Sequence, residues 1–300
     1  MPTSETIVSQ PAVSVIVPAR NEELYLGACL ESLTSQTGIA FEIIIVDDHS
    51  TDRTREIAGS FTSVHVLEAG PLSAGWTGKN NAVIAGARAA RGEWLLFTDA
   101  DTVHLPGSLA RAVAEAQQRQ ASMLSYSPQQ VVESFWEKAI MPVIFAELAA
   151  RYRPSDVSDP KSPAAAANGQ YILIAREAYD AFGGHAAVAG NLLEDVALAR
   201  AVKRSGRKIL FRYGGDAVRT RMYRSFAQLR EGWTKNLALL FPSPVFLAAW
   251  RSLECLLILA ALALLVPAAL ARDYFQVALC ALIPLNTWRR IHRAHFSWDA

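Results

Sequence analysis

Residues 93–102 read EWLLFTDADT, a short apolar run that stops at Asp99 and Asp101 with only Ala100 between them. Two carboxylates that close repel each other in a dry setting. The pair therefore implies either a solvated turn or a bound cation that neutralises it. Toward the N-terminus, β-branched segments alternate with helical patterns. Residues 13–18 (VSVIVP), 41–46 (FEIIIV) and 64–67 read as strands, and 22–36, 52–60 and 79–90 as helices. The loop AGPLSAGWTG at 69–78 precedes the last helix. Near-continuous apolar strands separated by helices imply an α/β fold whose mostly parallel sheet is covered on both faces.

Ligands of such sheets sit beyond the carboxyl ends of the strands. Asp99 and Asp101 occupy one such end. Arg20, Asn21, Glu22 and Glu23 follow the first strand, and Asp47 and Asp48 follow the second, so three polar clusters share one edge. Each cluster also has a purely structural use. Asn21, Glu22 and Glu23 suit the first turn of a helix, Asp47 and Asp48 suit a helix cap, and His49 suits a left-handed turn.

Further along, the pattern gives a helix after Pro106, a strand at 123–127 and a long amphipathic helix from Glu133 to about Tyr152. PKSPAAAA at 160–167 reads as a mobile loop. A strand at 171–175, a short helix at 177–182 and a tight turn at Gly183 and Gly184 lead to Glu194 and Asp195. These two acids open a helix that runs to about Arg204, a position where the helix dipole alone would favour them. Strands at 207–212 and 217–222 and a helix at 226–240 complete this part.

The chain has 300 residues, 51% of them hydrophobic and 19% charged, which supports a real core and excludes a disordered chain. Its charge is unevenly spread. Residues 1–199 hold 13 Lys and Arg against 23 Asp and Glu, and residues 200–300 hold 16 against 5. Cys29, Cys255 and Cys280 are too few and too scattered for a disulfide framework or a zinc cluster, which fits a reducing compartment. The six histidines show no metal-ligand spacing.

The N-terminal MPTSETIVSQP is polar and lacks the pattern of a signal peptide, so the main domain is expected inside the cell. Residues 255–271 (CLLILAALALLVPAALA) are free of charge over 17 positions, within the range of a membrane span. A second run, residues 274–285, has 12 residues and reads as a return or re-entrant helix. Arg251 before the first run and Arg289, Arg290 and Arg293 after the second suit a hairpin with both ends in the cytoplasm. Two helices of a soluble bundle are the alternative.

The ordered series PARNEE, VDDHSTD, GKNNA, TDADT and LLEDVAL resembles the family 2 glycosyltransferases of GT-A fold, over about residues 12–236. The resemblance implies a three-layer α/β/α sandwich, here followed by the hydrophobic helical hairpin. It divides the chain into a nucleotide-sugar-binding half (12–108), an acceptor-binding half (109–236) and a membrane-associated region (237–300). Carried over to this sequence, it puts Pro18, Ala19 and Glu22 around the nucleoside, with Asp48 accepting a hydrogen bond from the base. Lys79 and Asp99 would lie against the donor, and Asp99 and Asp101 would hold Mg²⁺ or Mn²⁺. Asp195 would be the general base of an inverting displacement, with Glu194 orienting the site.

Processive members of that family carry QxxRW, whereas Gln228 and Trp233 stand at the wrong spacing here, so polymer synthesis is not expected. GWTGK at 75–79, RMY at 221–223 and EGWTKN at 231–236 are similar to bacterial membrane-associated enzymes that glycosylate carotenoid or hopanoid lipids. Trp76 and Trp233 are equally suited to be core aromatics. The expected activity is transfer of one sugar from a nucleotide-diphosphate sugar to a lipid hydroxyl at the cytoplasmic membrane face, with no nucleic acid partner. The alternatives are a polyprenyl-phosphate or ceramide-type sugar transferase, and a nucleotide-sugar-binding scaffold that has lost turnover.

Overall fold

The computed structural model describes residues 10–241 and 243–292, so residues 1–9 of the polar N-terminal stretch and Arg293 of the basic flank lie outside it. The described chain forms two compact units. One holds the residues up to Gln130 together with Tyr152–Arg221, and the other Val131–Arg151 together with the residues from Met222 onward.

In the first unit the chain runs β1 (Val13–Ala19), α1 (Leu26–Thr34), β2 (Phe41–Asp47), α2 (Thr54–Gly59), β3 (Val64–Glu68) and α3 (Gly78–Ala89). It continues through β4 (Trp94–Phe97), β5 (Thr102–His104), α4 (Ser108–Gln118), β6 (Met123–Ser127) and β7 (Gln129–Gln130). The second unit then takes α5 (Phe135–Arg151). The first resumes with α6 (Pro154–Ser158), β8 (Ile172–Ala175), α7 (Arg176–Ala181), a 3-10 turn at Gly184–Val188, α8 (Glu194–Arg204), β9 (Ile209–Tyr213) and β10 (Val218–Thr220). The second closes with α9 (Phe226–Leu240), α10 (Pro244–Leu270) and α11 (Tyr274–His292).

Seven strands form the main sheet in the order β3-β2-β1-β4-β8-β6-β9. All neighbours are parallel except that β8 runs antiparallel to β4 and β6. Register places Ile16 of β1 between Ile44 of β2 and Phe97 of β4. Both faces are covered, which is why these strands are apolar at almost every position. Val15, Val17, Leu26, Leu30, Leu109 and Ala112 pack on one face, and Ile16, Val46, Ala82, Val83, Leu198 and Val202 on the other. The result is a three-layer sandwich. A small sheet, β5-β10-β7, sits beside it and pairs Thr102 with Thr220.

Two expectations change. The stretch 160–167 is packed rather than mobile: Ala165, Ala166 and Ala167 are buried in the core, and Lys203 Nζ donates to the carbonyls of Asp159, Ser162 and Ala164. Alanine methyls bury with no polar group to satisfy, so low complexity here reflects close packing. The helix expected to be amphipathic, α5, buries Met141, Ile144 and Phe145 yet leaves Phe135 and Trp136 exposed on another side.

Among the described residues, α10 is the one helix long and apolar enough to cross a membrane. It starts at Pro244, well ahead of the charge-free run. The α11 helix returns along it, and Thr287 Oγ1 donates to Glu254 Oε1 at 2.7 Å.

Gly86 lets α3 approach the sheet, because a Cβ there would meet the side chains of Ile16 and Val46. Overpacking of this kind costs about 1–3 kcal/mol. Gly86→Val is therefore expected to lower stability by that amount in chemical denaturation, and an unchanged midpoint would contradict the close approach.

Candidate functional site

Strands β1, β2 and β4 are parallel neighbours, so the segments after them open on one cleft of the first unit, with about 370 Å³ of space. Pro18, Ala19, Arg20 and Glu22 line it from the end of β1, and Asp48 from the end of β2. Gly78, Lys79 and Ala82 come from α3, and Asp99, Ala100 and Asp101 from the turn after β4.

The loops after β1 and β2 are laced together. Asn21 and His49 adopt left-handed backbone (φ 57° and 55°), and Asn21 Oδ1 accepts from Thr51 N at 2.8 Å. Glu23 N donates to Asp52 Oδ2 at 3.1 Å, and Arg53 N donates to Glu23 Oε2 at 3.1 Å. Glu23 is thus tied into this lacing while Glu22, held through its N–H to Thr54 Oγ1 at 2.7 Å, lines the cleft. At the start of α2, Asp52 Oδ1 accepts from Thr54 N at 2.9 Å, a service the sequence offered equally to Asp47 and Asp48. Asp47 instead accepts from Ser50 N at 3.3 Å, and Asp48 faces Arg20 Nη1 at 3.4 Å. A Cβ on residue 78 would run into the Asp48 carboxylate, so glycine lets the N-terminus of α3 reach this edge with Asp48 in its present place.

Lys79, in the first turn of α3, holds two acids. Its Nζ lies 2.8 Å from Asp99 Oδ1 and 3.3 Å from Glu194 Oε1. Burial by itself would lower the ammonium pKa, but these carboxylates outweigh it and hold Lys79 protonated well above the usual lysine range. Asp195 sits beside the pair, its Oδ2 accepting from Gly169 N at 3.2 Å and its Oδ1 from Val196 N at 2.7 Å. Burial, then the neighbouring Glu194, pushes the Asp195 carboxyl up to about 6. Glu194 and Asp195 line a narrow recess that shares Pro18, Lys79 and Asp99 with the main cleft.

Negative charge crowds the opposite wall. Burial and then the Asp99 charge raise Asp101 to about 6, against a lowering by Lys79 and the Thr220 hydroxyl. Burial, followed by Asp101 and Asp99, raises Glu22 to about 7. Such a site gains from a cation. Among the described residues no three His, Cys, Asp or Glu side chains are grouped to hold a metal alone. The Asp99–Asp101 pair nonetheless fits Mg²⁺ or Mn²⁺, which commonly takes one or two carboxylates and completes its shell with phosphate oxygens and water.

The structure thus brings Pro18, Ala19, Glu22, Asp48, Lys79, Asp99 and Asp101 to one cleft, and Glu194 and Asp195 to its adjoining recess. Sequence reasoning passed over Gly78, Gly169 and His185. Gly78 was readable from the GK pair, but the contact from Gly169 to Asp195 spans 26 residues with no periodic signal. Buried His185 lines the recess, with Nδ1 3.0 Å from Tyr179 OH and its ring edge-on to Phe97 at 4.6 Å. Trp233 is a core aromatic of the second unit, buried with Met141 and Phe145.

Residues 14–181 match the family model described as glycosyl transferase family 2. The 4,4'-diaponeurosporenoate glycosyltransferases of Staphylococcus aureus strains USA300 and MRSA252 are 29% and 30% identical over 230 residues. The match covers 76% of this chain and spans 61% of those relatives' length. Among solved structures, the mannosyltransferase PcManGT of Pyrobaculum calidifontis, in complex with GDP-Man and Mn2+, superposes with a TM-score of 0.54 at 21% identity. It covers 96% of this chain and 86% of its own. S. aureus TarS 1-349 gives 0.50 at 19% identity, over 70% and 60%. The fold is therefore GT-A. On its family match, this chain belongs to glycosyl transferase family 2.

Proposed function

We propose that the protein transfers one sugar, with inversion, from a nucleotide-diphosphate sugar to the hydroxyl of a carotenoid- or hopanoid-type lipid at the cytoplasmic face of a membrane. The observation that carries this reading is the Lys79 ammonium between Asp99 and Glu194, which sets a half-buried carboxylate, Asp195, beside a cleft with the acids a diphosphate–cation pair needs. In this reading Pro18, Ala19 and Glu22, which line the cleft with Asp48, would lie around the nucleoside, and Asp48 would accept from its base. The relatives' name supports a carotenoid-type acceptor over a polyprenyl-phosphate or ceramide one. The apolar α10 supports membrane attachment, and a basic C-terminal region near an anionic leaflet gains about 1 kcal/mol per adjacent Lys or Arg.

In this reading Asp195 takes the proton of the acceptor hydroxyl as the oxygen attacks the anomeric carbon. The bond from that carbon to the diphosphate oxygen breaks on the opposite face, and the nucleoside diphosphate leaves with the electron pair. Gly169 N–H and Val196 N–H fix the orientation of the Asp195 carboxylate, and Glu194 is held by Lys79. Asp99 and Asp101 would hold Mg²⁺ or Mn²⁺, whose charge would stabilise the departing diphosphate.

Base and structural roles for Asp195 separate in one experiment. Asparagine still accepts from Val196 N but sets an amide N–H against Gly169 N and accepts no proton at neutral pH, so Asp195→Asn is expected to lose about 1 kcal/mol of stability while keeping its fold and donor affinity. Sugar transfer should fall by roughly 10²–10⁴. Because the base acts only when deprotonated, wild-type turnover should rise with pH and level off above about 6. Lys79, Glu194 and Asp99 face Asp195 and shape that limb. Near-normal turnover in a stable Asn variant would return Asp195 to a structural role.

Asp101 is crowded by Asp99, so its charge adds nothing to stability that asparagine would lose. Asp101→Asn should unfold at the wild-type midpoint while most cation-dependent activity disappears. Insensitivity of the wild type to a chelator would overturn the cation role of the pair.

A further inference from the structure

Helix α5 carries apolar side chains on two faces. One face, with Met141, Ile144 and Phe145, is buried against Leu229 and Trp233 of α9. The other is open: Phe135 is 73% exposed, Trp136 48% and Val143 36%, with exposed Ala139 between them. Positions 135, 139 and 143 repeat every fourth residue and so form one stripe. Phe226, 42% exposed at the start of α9, extends it. Its ring lies tilted against Trp136 at 4.8 Å, and Phe135 meets Trp136 edge-on at 5.2 Å. A joined aromatic patch of this kind on a water-facing surface marks an interaction site.

The same unit indicates the partner. The segment of α10 from Cys255 to Leu270 rises about 24 Å, against the roughly 30 Å of a bilayer's hydrocarbon core, and Leu256, Leu259, Leu262 and Val266 point outward from it. Helix α5 is fastened to the base of the α10–α11 pair. Arg251 Nη2, at the start of α10, donates to Glu147 of α5 at 2.9 Å, and Ile291, at the end of α11, packs against the core that α5 shares. Arg251, Glu254 and Thr287 make a polar layer at that base, where a hydrocarbon region would end. Phe and Trp rings suit the headgroup level immediately outside such a layer.

We propose that Phe135, Trp136, Val143 and Phe226 form a surface seated in the headgroup region of a lipid bilayer, a second membrane contact beside α10. The inference rests on the membrane reading of α10 given above. Its continuity with that helix, through the Glu147–Arg251 pair and the shared core, favours a bilayer over a protein partner.

Brominated-lipid quenching tests it on the full chain reconstituted in phosphatidylcholine–phosphatidylglycerol vesicles. Emission of wild type minus Trp136→Phe isolates Trp136, and wild type minus Trp250→Phe isolates a ring on α10. Bromines placed near the acyl carboxyl end should remove most of both difference signals, and aqueous iodide should leave the Trp136 signal largely intact. If Trp250 is quenched by bromine but Trp136 emits equally in both lipids, the α5 surface is not in the bilayer and the α10 reading survives. Iodide shielding of Trp136 in that case would identify a protein occupant and equally overturn the proposal. If neither ring is quenched, both readings fall.

Discussion

One half-buried ammonium organises the site. Lys79 is held at the N-terminus of α3 by helix geometry, and its charge is retained because Asp99 and Glu194 answer it from two other parts of the chain. Removing a charge from water is costly unless partners replace the solvent. The triad therefore couples the turn after β4, the start of α3 and the start of α8, three segments far apart in sequence. It leaves Asp101 and Glu22 farther from a cation of their own, and burial followed by repulsion from neighbouring carboxylates raises both.

Much of this was legible because sheet physics is local. The runs VSVIVP, FEIIIV and EWLL are apolar on both faces, which only a covered sheet explains, and the polar residues after each run had to fall at one edge once the strands were parallel. The reversal of β8 was not legible, since a buried strand reads the same in either direction. Neither was the packing of Ala165–Ala167, because alanine-rich composition describes a flexible segment and a tight one equally well. The acids of the site were visible as residue types; what fixes them was not. Thr54 under Glu22, Gly169 under Asp195 and Asn21 across to Thr51 are long-range bonds set by the fold.

The second unit follows a different physics. Its helices expose large apolar side chains that the first unit keeps inside, from Val245 through Leu270 and on to Trp288. Water penalises such a surface, so its stable form needs a low-dielectric neighbour. Arg251 and Glu254 are the charged exceptions in the long helix; they pair with each other, and Glu147 of the same unit also answers Arg251. The basic excess of residues 200–300 is the electrostatic complement of an anionic leaflet, and the acids that line the cleft are the complement of a cation-bound diphosphate.

The central claim, inverting transfer from a nucleotide sugar to a lipid, is tested most directly by product analysis. The purified chain would be incubated with radiolabelled nucleotide sugars of known anomeric configuration, a divalent cation and a carotenoid- and hopanoid-containing membrane extract. The account predicts label in the organic phase on a single lipid class, one sugar per lipid, with the opposite anomeric configuration to the donor. Retained configuration, or label released only as free sugar, would contradict it.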